Sequence, residues 1–198
     1  MEHAHQRSWP LTLGCVAALL LGSWPAACPL AAASAAVGAG DFRDVARIER
    51  LTEVGHGTLH WFGVPIYRAT LRSADGHFSA PTAQPLSLTL NYQHRITRRQ
   101  LIDITSGEWA RLGLADQPTR AGWAAALEGI SNDVEAGDEI SVLVTPAGMT
   151  RFYRGDRLLG RIEDPSFGPA YLAIWLDARS QVGRLRSELM GSKPEGRP

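Results

Sequence analysis

Between Leu86 and Tyr92 apolar and polar residues alternate without a break. This predicts a strand with Leu86, Leu88, Leu90 and Tyr92 on one face. Upstream, Gly57 to Leu71 is rich in β-formers (Leu59, Trp61, Val64, Ile66, Tyr67) and predicts two short strands, with Gly63 and Pro65 marking a bend or bulge between them. The pattern then lengthens to a helical one. Thr97 before Arg98 to Leu112 and Thr119 before Arg120 to Ile130 read as capped helices, the first closed by Gly113. In the second, Trp123, Leu127 and Ile130 recur at the spacing of one apolar stripe facing a core.

After Gly137-Asp138, three runs (Glu139 to Thr145, Met149 to Tyr153, Leu158 to Ile162) are parted by Pro146-Ala147-Gly148 and Arg154-Gly155-Asp156, the signature of an antiparallel meander. A helix begins near Asp164-Pro165, apolar nearly all round and so deeply buried, and Val182, Leu185 and Leu189 continue into a shorter one. Strands, then helices, then a meander imply an α+β fold in which an antiparallel sheet is covered by helices.

Composition narrows the class. Twenty basic and twenty acidic residues among 198 give a net charge of zero, with no run of like charge, which argues against a nucleic-acid footprint. Arg7 and two histidines precede an apolar run from Leu11 to Gly22 and a small-residue tract from Ala31 to Ala36. This reads as a cleavable secretory signal over 1–35, too short for a stable membrane span. It would leave one domain over 36–191, a flexible tail over 192–198, and a periplasmic or secreted protein of bacterial type. Both cysteines, Cys15 and Cys28, fall in the leader, so disulfides and thiolate chemistry are not expected in the mature chain. Lys193 is the only lysine.

Few motifs carry chemistry. H-E-x-x-H, G-x-S-x-G, P-loop and G-x-G-x-x-G patterns are absent, so no cofactor is expected. His56 and His60 stand four apart, but in a strand-like, glycine-rich context that separates them by about 13 Å, and no metal site is expected. His77 and His94 read as solitary histidines. Arg154-Gly155-Asp156 reads as a turn. Asp103, Glu108 and Asp177 are acids by residue type alone. Arg95, Arg98 and Arg99 cluster at a helix start, where cations are slightly unfavourable. That makes them candidates to clamp a carboxylate.

Gly55-His56-Gly57-Thr58-Leu59, Phe62 to Ala69, Leu90-Asn91-Tyr92, Gly137-Asp138, Phe152-Tyr153, Ala173 to Asp177 and Leu185 to Gly191 follow one another in an order that resembles the bacterial chalcone isomerase-like proteins. The resemblance implies an open-faced β-sandwich, a large antiparallel sheet packed against a layer of helices. In the plant enzymes of that family a phenolate adds to an enone, and the developing charge is met by an arginine, a threonine, a tyrosine, an asparagine and a late hydroxyl. Laid on this chain, the arginine falls on or near Leu59, the tyrosine on Tyr92, the asparagine near Arg99 and the late hydroxyl near Ile174. Losing a donor of this kind lowers a rate by about 10² to 10³.

The expectation is therefore a family member divergent from flavanone formation that binds a small amphipathic or aromatic ligand such as a fatty acid. The alternative is an intramolecular lyase acting on another substrate, with Tyr92 as acid or hydrogen-bond donor. Arg95, Arg99, His60 and Thr58 are the candidate ligand-binding residues. A third reading, a partner-binding protein, would follow if Trp61, Trp109, Trp123 and Trp175 fill the space between sheet and helices. The sequence leaves the oligomeric state open.

Overall fold

The computed structural model describes residues 39–79 and 83–191. The expected leader with its two cysteines and the expected tail lie outside the described residues. Six strands form one antiparallel sheet in sequence order: β1 (Thr52–Trp61), β2 (Val64–Ser73), β3 (Leu86–Tyr92), β4 (Glu139–Val144), β5 (Thr150–Arg154) and β6 (Arg157–Ile162). Between β3 and β4 come α2 (Arg98–Leu112) and α3 (Gln117–Ile130); α4 (Phe167–Leu176) and α5 (Gly183–Leu189) follow β6, and α1 (Ala39–Arg50) precedes β1. The architecture is the expected α+β one.

The strict alternation in β3 places Leu86, Leu88, Leu90 and Tyr92 on the face that meets the helices, and cross-strand partners extend that face. Leu71 sits opposite Leu88, Ala69 opposite Leu90, Val142 opposite Leu88 from the other side, and Phe152 opposite Val142. All of these side chains are buried in one cluster with α2 to α5. An aromatic chain runs through it. Trp109 meets Trp123 and Phe167 edge to face, Phe167 stacks on Tyr171, and Tyr171 contacts Trp175, with ring centroids 5.3–5.7 Å apart. The two deep indoles are satisfied: Trp109 Nε1 donates to the Ala170 carbonyl at 3.1 Å and Trp123 Nε1 to Asp164 Oδ2 at 2.7 Å. Trp61 departs from expectation. It is 65% exposed at the end of β1, because Trp61 and Val64 close a two-residue turn and the strand leaves the helix layer there.

The first helix was not foreseen. It covers the opposite, more polar sheet face, where Ile48 and Leu51 pack with Leu143 and Tyr153, while Asp44 accepts from the Tyr153 hydroxyl at 3.0 Å and pairs with Arg151. Thr97 caps α2 in a reciprocal box with Gln100, and Gly113 ends it at φ 67°. For α3 the expected cap at Thr119 is corrected to Asp116, whose carboxylate accepts from the Thr119 amide at 2.9 Å. Pro118 in the first turn fixes the start earlier, since a proline is favoured just inside a helix N-terminus.

The last helix, α5, lies against β1. A Cβ on Gly55 would sit 2.2 Å from the Glu188 carbonyl oxygen, and one on Gly57 would strike the Glu188 and Leu185 side chains. Glycine at both positions therefore lets helix and strand touch. This gives the Gly55-His56-Gly57 segment a packing role, and His56 pairs locally with Glu53.

Candidate functional site

Tyr67 and Tyr92 face one another across the β2–β3 ladder, with ring centroids 5.7 Å apart in an edge-to-face arrangement. From the helix layer, Tyr171 and Trp175 on α4 close over this pair, and the Trp175 indole donates to the Tyr67 hydroxyl at 2.8 Å. Removal from water raises the Tyr67 phenol to about 12, even though the Trp175 bond pulls the other way. Burial raises Tyr92 and Tyr171 as well, each also raised by a neighbouring phenol. All three are neutral hydrogen-bond donors at ordinary pH. Among the described residues neither the Tyr92 nor the Tyr171 hydroxyl has a hydrogen-bond partner.

A cation stands beside this group. Arg154, at the end of β5 on the same sheet face, lowers the Tyr92 phenol by its charge. Its Nη2 donates to the Asp133 carbonyl at 2.6 Å and lies 3.7 Å from Asp138, while its buried Nε has no partner. Buried polar atoms in folded proteins are nearly always paired. The guanidinium nitrogen is enclosed without a partner, and the two phenol hydroxyls, which reach solvent, have no protein partner among the described residues either; together they mark one end of the sheet–helix seam as a place equipped to hold an acceptor.

The residues singled out in the sequence fall into three places. Tyr92 is buried in the seam. Thr58 and His60 share a surface cleft of about 320 Å³ along the β1 edge with His56, Arg68, Arg184 and Glu188. Arg95 is exposed and paired with Asp133 and Glu135, and Arg99 is 92% exposed, 3.7 Å from Asp103. Among the described residues no hydrogen bond or ion pair joins Tyr92 to any of the other four. Tyr67, Tyr171, Trp175 and Arg154 were not read as site residues: the first three look like strand or core, and Arg154 like part of a turn. Only the ladder register, which brings Tyr67 onto Tyr92, makes them a group. No group of three metal-ligating side chains occurs among the described residues.

Residues 60–191 match the family model described as chalcone isomerase-like. The chain belongs to the chalcone isomerase-like family. Among solved structures this family member is similar to a fatty-acid binding protein of Arabidopsis thaliana, at TM-score 0.56 and 8% identity, over 72% of this chain and 88% of that one. Its open antiparallel sheet, with α2 to α5 layered on one face, matches that fold. No curated protein sequence matches the chain.

Several positions laid against the plant enzymes lack the donor expected of them. Leu59 pairs with Tyr67 in the ladder and packs on the core, and Ile174 is buried in α4. The seam of this family member is densely filled. The second cleft described, about 100 Å³, opens on the other sheet face beneath α1 and is lined by residues including Ile48, Arg72 and Thr89.

Proposed function

We propose that this protein is an exported, periplasmic or secreted, carrier or sensor of a small amphipathic acid. The acid's head group sits at the Tyr92–Tyr171–Arg154 end of the seam. The observation that carries this reading is the set of donors without protein partners, two phenol hydroxyls beside the buried Arg154 Nε. A carboxylate accepts several hydrogen bonds and gains from a nearby guanidinium, which is what two neutral phenols and Arg154 offer. The fatty-acid binding activity of the Arabidopsis neighbour supports an acyl or similarly apolar tail. With the seam filled by Phe152, Tyr171 and Trp175, a tail must move α4 or turn these rings. A short or flat apolar group requires less displacement than a long chain. Processing of an N-terminal secretory signal is part of the proposal, supported by the leader pattern in the sequence.

The intramolecular-lyase alternative needs a base or cation that shares a reacting site with Tyr92, and Arg154 supplies the charge. A phenol held well above its usual pKa favours a standing donor over a proton shuttle, which supports binding over turnover. The packed seam favours a different second reading, a partner-binding domain with a permanently filled core.

The experiment is native mass spectrometry of the protein purified from its own host, with Tyr92→Phe and Arg154→Gln alongside. The proposal expects a co-purifying acid that is reduced in both variants. A clean apo mass, unchanged on adding fatty or aromatic acids, would leave the partner-binding reading in its place.

A further inference from the structure

The β1–β2 hairpin ends in Trp61-Phe62-Gly63-Val64, and this tip is unlike the rest of the surface. Phe62 is 91% exposed, Trp61 65% and Val64 44%, and the two rings pack edge to face with centroids 5.2 Å apart. Phe62 and Gly63 both have positive φ, 47° and 81°. A two-residue hairpin turn of this geometry favours Asn-Gly, because a side chain with a bulky Cβ substituent is strained there. The fold therefore holds an aromatic residue in a strained backbone only to present it to solvent.

Below the tip the surface turns polar, with one unpaired cation. His60 follows Leu59 just before Trp61, and Arg68 on β2 is exposed with no acidic partner among the described residues. Thr58 and Arg184 line the same cleft, while Arg184 is engaged with Glu188. Apolar aromatics at a convex apex, with hydroxyl and cationic groups set behind them, match the layering of a lipid surface, with acyl chains inside and phosphates outside. A folded protein partner fits less well. A stable interface needs roughly 800 Å² from each side, whereas two aromatic side chains supply at most about 300–500 Å², and a convex turn offers no pocket to anchor a partner.

We infer that the Trp61–Val64 tip is a membrane-docking element that inserts into the interfacial layer of a bilayer, with Arg68 facing the phosphates of anionic lipid and Thr58 and His60 in the polar layer. The inference stands independently of the ligand proposal, since it rests on the hairpin alone.

Hydrogen exchange of the full chain tests it, with and without vesicles of phosphatidylcholine and phosphatidylglycerol in equal parts, and with vesicles of phosphatidylcholine alone. The local readout separates the hairpin from any binding by the apolar N-terminal run. Protection is expected over residues 58–67, stronger with the anionic vesicles. Phe62→Asn supplies the residue the turn prefers, so thermal stability is expected to be kept or raised. The vesicle concentration for half-protection of the hairpin is expected to rise about tenfold, the scale set by burying one phenyl ring. Arg68→Gln is expected to abolish the difference between the two vesicle types. Absence of protection over 58–67 with either vesicle, or protection unchanged in Phe62→Asn, overturns the inference.

Discussion

Trp175 Nε1 donates to the Tyr67 hydroxyl at 2.8 Å, and this bond joins α4 to β2 across the seam where the candidate ligand donors lie. The neighbouring Tyr92 hydroxyl has no such partner among the described residues, so two phenols in van der Waals range differ in what their removal does. Tyr67→Phe leaves the indole N–H unpaired beside the core and is expected to cost about 1–3 kcal/mol. Tyr92→Phe loses no protein partner and is expected to change stability by less than about 0.5 kcal/mol. Urea unfolding of the two variants checks this, and equal losses would show that Tyr92 is bonded in solution.

The start of α3 provides a second comparison. Asp116→Ala removes the side chain that accepts from the Thr119 amide and is expected to cost about 1 kcal/mol. Thr119→Ala leaves that amide and its bond in place but removes the hydroxyl that also bonds the Asp116 carboxylate, and is expected to cost less than Asp116→Ala, about 0.5 kcal/mol. A larger loss at Thr119 would restore the later helix start.

The contact between β1 and α5 depends on two hydrogen atoms where other residues carry a methyl group. Gly55→Ala sets a Cβ against backbone, the Glu188 carbonyl at 2.2 Å, which has little room to yield. Gly57→Ala meets chiefly the Glu188 carboxylate and the Leu185 side chain, which can swing aside. Overpacking of this kind costs about 1–3 kcal/mol, with Gly55→Ala expected at the upper end and Gly57→Ala at the lower. Thermal melts would order the pair.

Stability also depends on pH at both extremes. Hydrogen bonds from the Arg179 side chain and amide lower Asp177 from 3.8 to about 2. A depressed carboxylate stabilises the fold above its unfolded value, and that contribution is lost as pH falls from about 4 towards 2. At the alkaline end the Tyr67 phenol is raised from 10.0 to about 12, so only the unfolded chain ionises in between. The fold is expected to lose stability as pH rises from 10 towards 12. Unfolding curves across pH should show both limbs, the acid limb made shallower by Arg179→Gln and the alkaline limb by Tyr67→Phe, with the remainder carried by the other lowered carboxylates and by Tyr92 and Tyr171.

Elements with a strong local period were legible in the chain. Leu86 to Tyr92 and Thr97 to Gly113 announce a strand and a capped helix, and the structure has both within those bounds. The first helix has a regular helical period of its own, with Val45 and Ile48 three apart before Leu51, but it is polar overall, and its low hydrophobicity hides the stripe. Thr119 and Asp116 are both good caps, and only the position of Pro118 separates them. Trp61 looked like core because large aromatics usually are, yet a two-residue turn carries it out of the helix layer. The site was least legible. Tyr67 and Tyr92 are distant in sequence and meet through strand register, while Arg154 joins them through β4, and a single sequence does not display such non-local pairing.

Each strand of the sheet pairs with the strand that follows it in the chain, so the sheet can zip together from hairpins and nearby ladders. The packing of α5 on β1 is different, because it brings together the far ends of the described fold. Loop-closure entropy makes such a contact slow to form, and the relationship between contact separation and folding rate places it late. Folding of this domain is then expected to be paced by its last helix: until α5 has docked, the face of β1 at Gly55 and Gly57 and the apolar residues beside it stay open to water, the state most exposed to association with another chain.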